Sequence, residues 1–586
     1  MKDAGSEAKR DTGGAVQRDA QALSDLTVAL GSYSGPVKET LTEAEASHVI
    51  ERIWNKDASL WKNDEPHQKI IANSLGWLTV AGEMALVAGD LSAFAGAIKA
   101  ADFKQVMVCG MGGSSLCPEV LRQTFGAQKD FPELLVLDST DPDAINNFKQ
   151  KIDVSHCLFV IASKSGTTTE PIAFHRYWYN EVAQTTKTPG DAFVTITDPG
   201  SQMVETAKAE GFRRIFLNQA DIGGRYSALS YFGMVPAALM GLDVARLLSQ
   251  TQPLVERCRA AVNTNPGALL GSVIASCALA GRDKLTIVAD ESLSALGLWV
   301  EQLIAESTGK EGQGIVPVVG ESLGPPSSYG NDRVFVSISV GEPGAESIAT
   351  LKALEGAGHP VVYRTLGDLY DLGAEFFLWE FATAFAGWRV GIDPFDQPNV
   401  QESKDATKSL LAGFERNGKL ADQSPLASDD RLTIYGSSLN GHTVAEVLNQ
   451  HRRRLQPGDY VALLAYIEET GETEGALKDL REMVRKVTGC ATTVGYGPRF
   501  LHSTGQLHKG GPDTGVFIQI TAPDKIDFAV PGAPYSFSVL KDAQALGDFE
   551  SLMKHGRRAV RVDLGDDVLR GLAKLQEVLS GGTEKD

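Results

Sequence analysis

Residues Phe159–Pro171 read FVIASKSGTTTEP, an apolar run that ends abruptly in small hydroxyl residues around one glycine. An amphipathic stretch, IAFHRYWYNEV, follows. The order predicted is strand, loop, helix. A helix N-terminus presents unpaired N–H groups at the positive end of its dipole and so attracts an anion. Ser163, Ser165, Thr167, Thr168 and Thr169 add hydroxyl donors at the same point, and Gly166 lets the backbone come close. This suits a grip on a phosphate monoester without a nucleotide-binding lysine motif. The same residues would also make an ordinary cap on a Ser/Thr-rich turn, and the loop alone does not decide between the two.

Other segments carry reactive side chains. In DIGGRYSALS a glycine pair precedes Arg225, so the backbone can turn sharply and aim a guanidinium into a cleft; a surface salt bridge is the commoner fate of an arginine. In EQLIAESTGK, Gln302 and Glu306 stand four apart on one helix face. Glu306 then faces a helix C-terminal dipole and partial burial, both of which raise a carboxyl toward a useful base; a solvated helix-end glutamate is the plainer reading. In PFDQPNVQESK, Pro394 and Pro398 stiffen a loop carrying Gln397, and Lys404 follows on a helix. His508, in GQLHKGGPDTGVFIQI, sits in a loop before an apolar strand, with His502 six residues earlier.

These residues need a scaffold. From Lys104, short apolar runs (QVMVCG, LLVLD, CLFVIAS, FVTITD, RIFLN) alternate with amphipathic segments, the pattern of a doubly wound parallel sheet. Such sheets bind ligands at strand C-termini, where MGGSSLCP and SKSGTTTEP fall. A less regular α/β unit covers about 246–410, with KLTIVAD, RVFVSISV and PVVYR as strands. Residues 411–586 are α/β again. The division expected is 1–90, a polar tail and helical segment; 91–245, a first domain with the phosphate site; 246–410, a second domain with the base and lysine; and 411–586, a lobe that could complete the second domain. Residues 1–20 read as linker-like or disordered.

At 586 residues the chain is too long for one core. Its formal charge of −19, from 55 basic and 74 acidic side chains, argues against nucleic acid or an anionic membrane as partner. One local anion site is still compatible with that charge. Six scattered cysteines form no CxxC pair and read as free thiols of a reducing cytoplasm. No apolar signal core, membrane-length apolar run, metal-ligand spacing or GxGxxG after the first strand is evident, so a cytoplasmic protein without metal or redox cofactor is expected.

In order along the first 410 residues, CGMGGSSLCP, SKSGTTTEP, DIGGRYSALS, EQLIAESTGK and PFDQPNVQESK together resemble phosphoglucose isomerase, a family of two sugar isomerase (SIS) domains. The family's usual FDQxGVExxK is altered here, Asn399 and Gln401 replacing Gly and Glu. The stretch VGYGPRFLHSTGQLHKGGP looks most like the isomerase half of bifunctional transaldolase/phosphoglucose isomerase proteins, although no residues remain for a transaldolase barrel of roughly 250 residues.

The resemblance implies interconversion of glucose 6-phosphate and fructose 6-phosphate through ring opening and a cis-enediol. It implies Glu306 as the base, Arg225 as stabiliser of the enediolate, and Lys404 with a histidine for ring opening. It implies Ser163, Lys164, Ser165, Thr168, Gly113 and Ser114 at the phosphate, with Gln302 and Gln397 on hydroxyls. The family's histidine falls between the Glu and Lys motifs. Here that interval holds only His359, in a turn leading into a strand, so His508 is expected in the role, with His502 as runner-up. A homodimer is compatible with the resemblance. Two other readings stand beside it: another SIS isomerase, or a sensor that keeps the phosphate loop and needs neither Glu306 nor Lys404.

Overall fold

The computed structural model describes residues 26–581, apart from 422 and 438. Residues 1–20, expected to be linker-like or disordered, lie outside the described residues.

Three sheets organise the chain. The first comprises β2 (Gln105–Cys109), β3 (Glu133–Leu137), β4 (Cys157–Ala162), β5 (Phe193–Thr197) and β6 (Arg214–Leu217), all parallel, in the order β3-β2-β4-β5-β6. Every residue of β4 is buried, as befits a central strand covered on both faces. The chain steps from β2 outward to β3, then returns to β4 on the other side of β2. The crevice beyond the C-terminal ends of β2 and β4 is therefore a topological switch point.

The second sheet has the order β1-β10-β9-β7-β8, from β1 (Leu26–Ala29), β7 (Lys284–Ala289), β8 (Val316–Val318), β9 (Arg333–Val340) and β10 (Val361–Leu366). Its strands are parallel except β1, which pairs antiparallel with β10 through Val28 and Val362. The N-terminal segment, expected to be helical, thus also lends an edge strand to the second sheet. Four residues are too few to register as a period in sequence.

Residues beyond 411 do not complete that sheet. They build their own, β11-β12-β16-β15-β13-β14, from β11 (Ala427–Ser428), β12 (Thr433–Gly436), β13 (Tyr460–Tyr466), β14 (Ala491–Tyr496), β15 (Gly515–Thr521) and β16 (Arg558–Asp563). Val316 and Val318 of β8 share a core with Tyr460, Ala462, Phe500 and Phe517, which seats this sheet beside the second. The Phe537–Lys554 helix reaches farther, and its Phe537, Leu540 and Ala543 pack with Phe159, Phe174 and Trp178 of the first domain. The C-terminal lobe is therefore wedged against both preceding domains.

Contrary to the expectation of no membrane-length apolar run, the Trp77–Ala100 helix is long and apolar enough, by length and composition, to cross a membrane. Its Trp77, Val80, Ala81, Met84, Ala88, Leu91, Ala95 and Ile98 are buried in the main core, whereas Glu83, Leu86 and Asp90 face out. The stripe at helical spacing is that of a core-facing helix.

Candidate active site

The site is assembled at the switch point. After β2 the chain makes the tight turn Gly112–Ser114. A Cβ on Gly113 would lie 1.9 Å from the carbonyl oxygen of Gly224, so the two glycine turns meet backbone to backbone. That contact fixes the Gly224–Tyr226 turn, and with it Arg225. The guanidinium is buried and fully engaged. Nε donates to Ser307 Oγ at 2.7 Å, Nη1 to Gln397 Oε1 at 2.8 Å, and Nη2 to the carbonyls of Pro394 and Asp396 at 2.7 and 2.9 Å. Nη1 also lies 3.8 Å from Glu306 Oε2.

Glu306 projects from the last turn of the Leu296–Thr308 helix and is buried. Gln302, one turn earlier, donates through Nε2 to Glu306 Oε2 at 3.1 Å and to the carbonyl of His502 at 2.7 Å. Gln302 Oε1 is buried without a partner among the described residues, so it can accept from a ligand. Lys310, just past this helix, donates to Asp396 Oδ1 and to the carbonyls of Asp393 and Asp396 at 2.5–2.8 Å. Burial and the nearby Arg225 push its ammonium down to about 8, against the pull of Asp396.

After β4 comes the hydroxyl-rich loop. Gly166 has φ +66°, and a Cβ there would meet the Met203 nitrogen at 2.8 Å, so only glycine fits the turn. Thr168 is the N-cap of the Thr169–Ala183 helix, yet its side chain does not cap that helix, leaving the first N–H groups to an incoming anion. Ser163 and Thr168 hydroxyls stand 3.4 Å apart, and Ser165 and Thr167 hydroxyls 2.9 Å apart. Lys164 does not join them. Its ammonium is turned to Asp198 and to the Ala220 carbonyl, 2.9 Å away.

The structure parts the two histidines. His508 lies in the Gly505–Gly510 helix, buried among Tyr460, Phe500 and Phe517, and its Nδ1 has no partner among the described residues. Burial, with Lys509 and Arg557 nearby, pushes it well below the ordinary histidine range, so the ring is neutral and faces a core. The expectation that His508 faces the substrate is corrected: a ring enclosed by three aromatics cannot reach a sugar. His359 is also buried, its Nδ1 3.1 Å from Arg282 Nη1.

His502 faces the cleft. Its Nε2 lies 3.0 Å from Glu170 Oε1, and its Cβ packs where a side chain on Gly112 would otherwise go. Glu170 also accepts from Gln544 Nε2 at 2.6 Å, and Gln544 in turn accepts from Thr140 at 2.7 Å. Burial alone would raise the Glu170 carboxyl. His502 and, more weakly, Lys404 outweigh it and hold the group below its ordinary value. Lys404 and His502 line one cavity of about 90 Å³ with Thr167, Thr168 and Glu170. Larger concavities of about 380 and 320 Å³ lie elsewhere and contain neither Glu306 nor His502.

The expected residues fall into two linked groups. Gly113, Arg225, Gln302, Glu306 and Gln397 are joined by the contacts above, with Ser114 in the Gly112–Ser114 turn. Thr168 and Lys404 line the cavity with His502, which Gln302 ties to Glu306, and Ser163 and Ser165 stand beside Thr168 and Thr167 respectively. Lys164 is turned to Asp198 and His508 into a core. Sequence reasoning missed Glu170, Gln544, Lys310 and Gln506. Gln506 is fully buried and joins the Gly309 carbonyl to both the backbone N–H and the side chain of Asn399, at 2.8–2.9 Å. It thereby ties the Pro398–Asn417 helix to the end of the Glu306 helix. Glu170 was visible as the acid in a helix first turn, but its partners come from far along the chain and leave no local signal.

A family model described as phosphoglucose isomerase matches residues 85–319. A glucose-6-phosphate isomerase of Citrifermentans bemidjiense is 30% identical over 389 residues, which span 57% of this chain and 72% of the relative. The chain belongs to the phosphoglucose isomerase family. A second relative in the family, the glucose-6-phosphate isomerase of a Cyanothece species, is 29% identical over 372 residues, 55% of this chain and 69% of its own. Among solved structures, a hypothetical protein of Thermus thermophilus matches with a TM-score of 0.56 at 24% identity, covering 66% of this chain and all (100%) of its own. A glucose-6-phosphate isomerase of Chlamydia trachomatis matches at 0.53 and 18%, covering 65% of this chain and 86% of its own. These two establish the fold. The phosphoglucose isomerase match includes Arg225, Gln302 and Glu306 and stops short of Lys404, His502 and Gln544.

Proposed function

We propose that this phosphoglucose isomerase interconverts glucose 6-phosphate and fructose 6-phosphate, with Glu306 as the proton-transferring base and His502 as the ring-opening group. The observation that carries this reading is one linked set of contacts. Gln302 bridges Glu306 and His502, Arg225 stands 3.8 Å from Glu306, and Glu170 holds His502.

The helix N–H groups and hydroxyls of the Ser163–Thr168 loop anchor the phosphate. His502 gives a proton to the ring oxygen as the ring C–O bond breaks, while the anomeric hydroxyl loses its proton and becomes the carbonyl. Lys404, across the cavity, assists. Glu306 then removes the proton from C2 of the aldose, or C1 of the ketose, and returns it to the neighbouring carbon, while the hydroxyl proton passes between O2 and O1, so that the carbonyl moves from one carbon to the other. Between the two transfers the sugar is a cis-enediolate. Four donations already occupy Arg225, so it acts through its fixed positive charge more than through new hydrogen bonds. The cavity has room for roughly three waters, so admitting a hexose requires it to widen.

The test is fructose 6-phosphate turnover, read as glucose 6-phosphate formed, in the wild type and in Glu306→Gln. The wild type should turn over, and the variant should lose roughly 100- to 10,000-fold, the range for a positioned general base, while still binding inorganic phosphate. An inactive wild type, or an undiminished variant, would remove the reading.

A further inference from the structure

Beside the loop whose Pro394 and Asp396 carbonyls accept from Arg225, three potential ligands converge from distant parts of the chain. A ring nitrogen of His67 and one carboxylate oxygen each of Asp393 and Asp396 lie within 4.8 Å of one another. His67 belongs to the Glu65–Ala72 helix, whereas Asp393 and Asp396 flank the loop that leads to Gln397. We propose that His67, Asp393 and Asp396 form a site for one divalent transition-metal ion of the zinc, cobalt or manganese class, and that the ion clamps the Arg225-supporting loop to the N-terminal helices.

Four observations support this. Asp393 is completely buried; its Oδ1 accepts the Phe395 N–H at 2.8 Å, but its Oδ2 is buried with no partner among the described residues. A carboxylate oxygen in that state is costly unless something cationic meets it. The imidazole is also pre-aimed. Asp64, the N-cap of the helix, holds His67 Nδ1 at 2.7 Å, and the other ring nitrogen, Nε2, lies 3.6 Å from Asp396 Oδ2. Carboxylates behind metal-binding histidines do this work of fixing tautomer and ring direction.

One edge fits as well. Ligands at about 2.1 Å from a tetrahedral ion stand roughly 3.4 Å apart, so the 3.6 Å His67–Asp396 edge needs little adjustment, while Asp393, within 4.8 Å of both, draws in on binding. Lastly, the neighbouring cation does not use these atoms. Lys310 takes Asp396 Oδ1 and two backbone carbonyls, leaving Asp396 Oδ2 to face His67. A second acidic group, Asp141, Asp143 and Asp524, differs in this respect, because the Lys541 ammonium already sits on both Asp141 and Asp524. One imidazole with two carboxylates is a borderline donor set that favours such ions over calcium or magnesium.

The His67 side chain is one-third exposed (33%), so an ion can enter from solvent. Arg225 draws three of its acceptors from the same loop: the Pro394 and Asp396 carbonyls and Gln397 Oε1. An ion bound there would hold that loop in place. This last consequence rests on the isomerase reading, whereas binding itself does not.

The experiment titrates the full chain, stripped with chelator and dialysed at pH 7.5, with cobalt(II) and with zinc(II). Binding is followed by calorimetry, by cobalt absorption and by the shift in Tm. One ion per chain is expected, with a rise in Tm. His67→Ala and Asp393→Asn should each weaken binding at least about tenfold and abolish the Tm shift. His67→Ala without metal should keep wild-type folding and isomerase turnover. Absence of one-equivalent binding would overturn the proposal and leave His67 simply in contact with Asp64 and Asp396. Equal binding by wild type and both variants would overturn it too, placing the ion on thiols or on the Asp141 group. Metal binding with an inactive isomerase would sink the isomerase reading and leave this one standing.

Discussion

Replacing Glu170 with glutamine tests the part of the site that only the folded chain reveals. Glu170 is buried, its Oε1 meets His502 Nε2 at 3.0 Å, and Gln544 donates to the same oxygen at 2.6 Å. Glutamine keeps the shape and removes the charge. A hydrogen bond to a charged group is worth about 1.5–3 kcal/mol, and each 1.36 kcal/mol is tenfold in rate. If that interaction holds the imidazolium and its orientation during ring opening, turnover of cyclic fructose 6-phosphate should fall roughly 13- to 160-fold. His502→Ala should cost more, about 100- to 10,000-fold, because the acid itself is gone. The assay compares fructose 6-phosphate with 5-deoxyfructose 6-phosphate, which lacks the C5 hydroxyl and cannot close a furanose ring. Solvent-deuterium exchange at C1 of the deoxy compound should be nearly unaffected in both variants, since that step belongs to Glu306. His508→Phe, which fills the same aromatic enclosure, serves as control and should leave turnover intact. Equal losses on the cyclic and open-chain compounds would refute a ring-opening role for the His502–Glu170 pair. So would a large loss in His508→Phe that retains a wild-type Tm.

Three further outcomes follow from the same geometry. Gly113→Ala places a methyl 1.9 Å from the Gly224 carbonyl and must push the Arg225 turn away; Tm should drop by an amount equivalent to about 1–3 kcal/mol, and kcat should fall while inorganic phosphate still binds. Ser165→Ala combined with Thr168→Ala should weaken substrate and inorganic phosphate together, by about 1.5–3 kcal/mol for each charge-assisted bond lost, as read by calorimetry. Glu170 is held below its ordinary carboxyl value of 4.5, so its pairing contributes stability that is fully present above about pH 4.5 and lost as pH falls through the lowered value; Tm in acid should therefore decline less steeply in Glu170→Gln than in the wild type.

Much of this protein was legible in the sequence because the relevant signals are local. Parallel strands such as Cys157–Ala162 are continuous apolar runs, and helix first turns and glycine turns are read from neighbouring residues. The hydroxyl-rich loop, the glycine pair before Arg225 and the one-turn spacing of Gln302 and Glu306 are therefore fixed by composition and period. What sequence could not decide is which side chains meet across hundreds of residues. His508 looked apt because a histidine, glycines and a following strand are local features, yet its ring turns into the Tyr460, Phe500 and Phe517 core. His502 gained its place only because Gly112 leaves room for it and Glu170 and Gln302 reach it from two other segments. Lys164 likewise reads as a phosphate ligand until folding brings Asp198 beside it. The short edge strand Leu26–Ala29 is fixed by its partner β10, not by its own four residues. Local pattern sets which elements form and which groups they carry. Burial, pairing and direction belong to the tertiary structure, because the energy of a buried polar group depends on whatever partner the fold delivers to it.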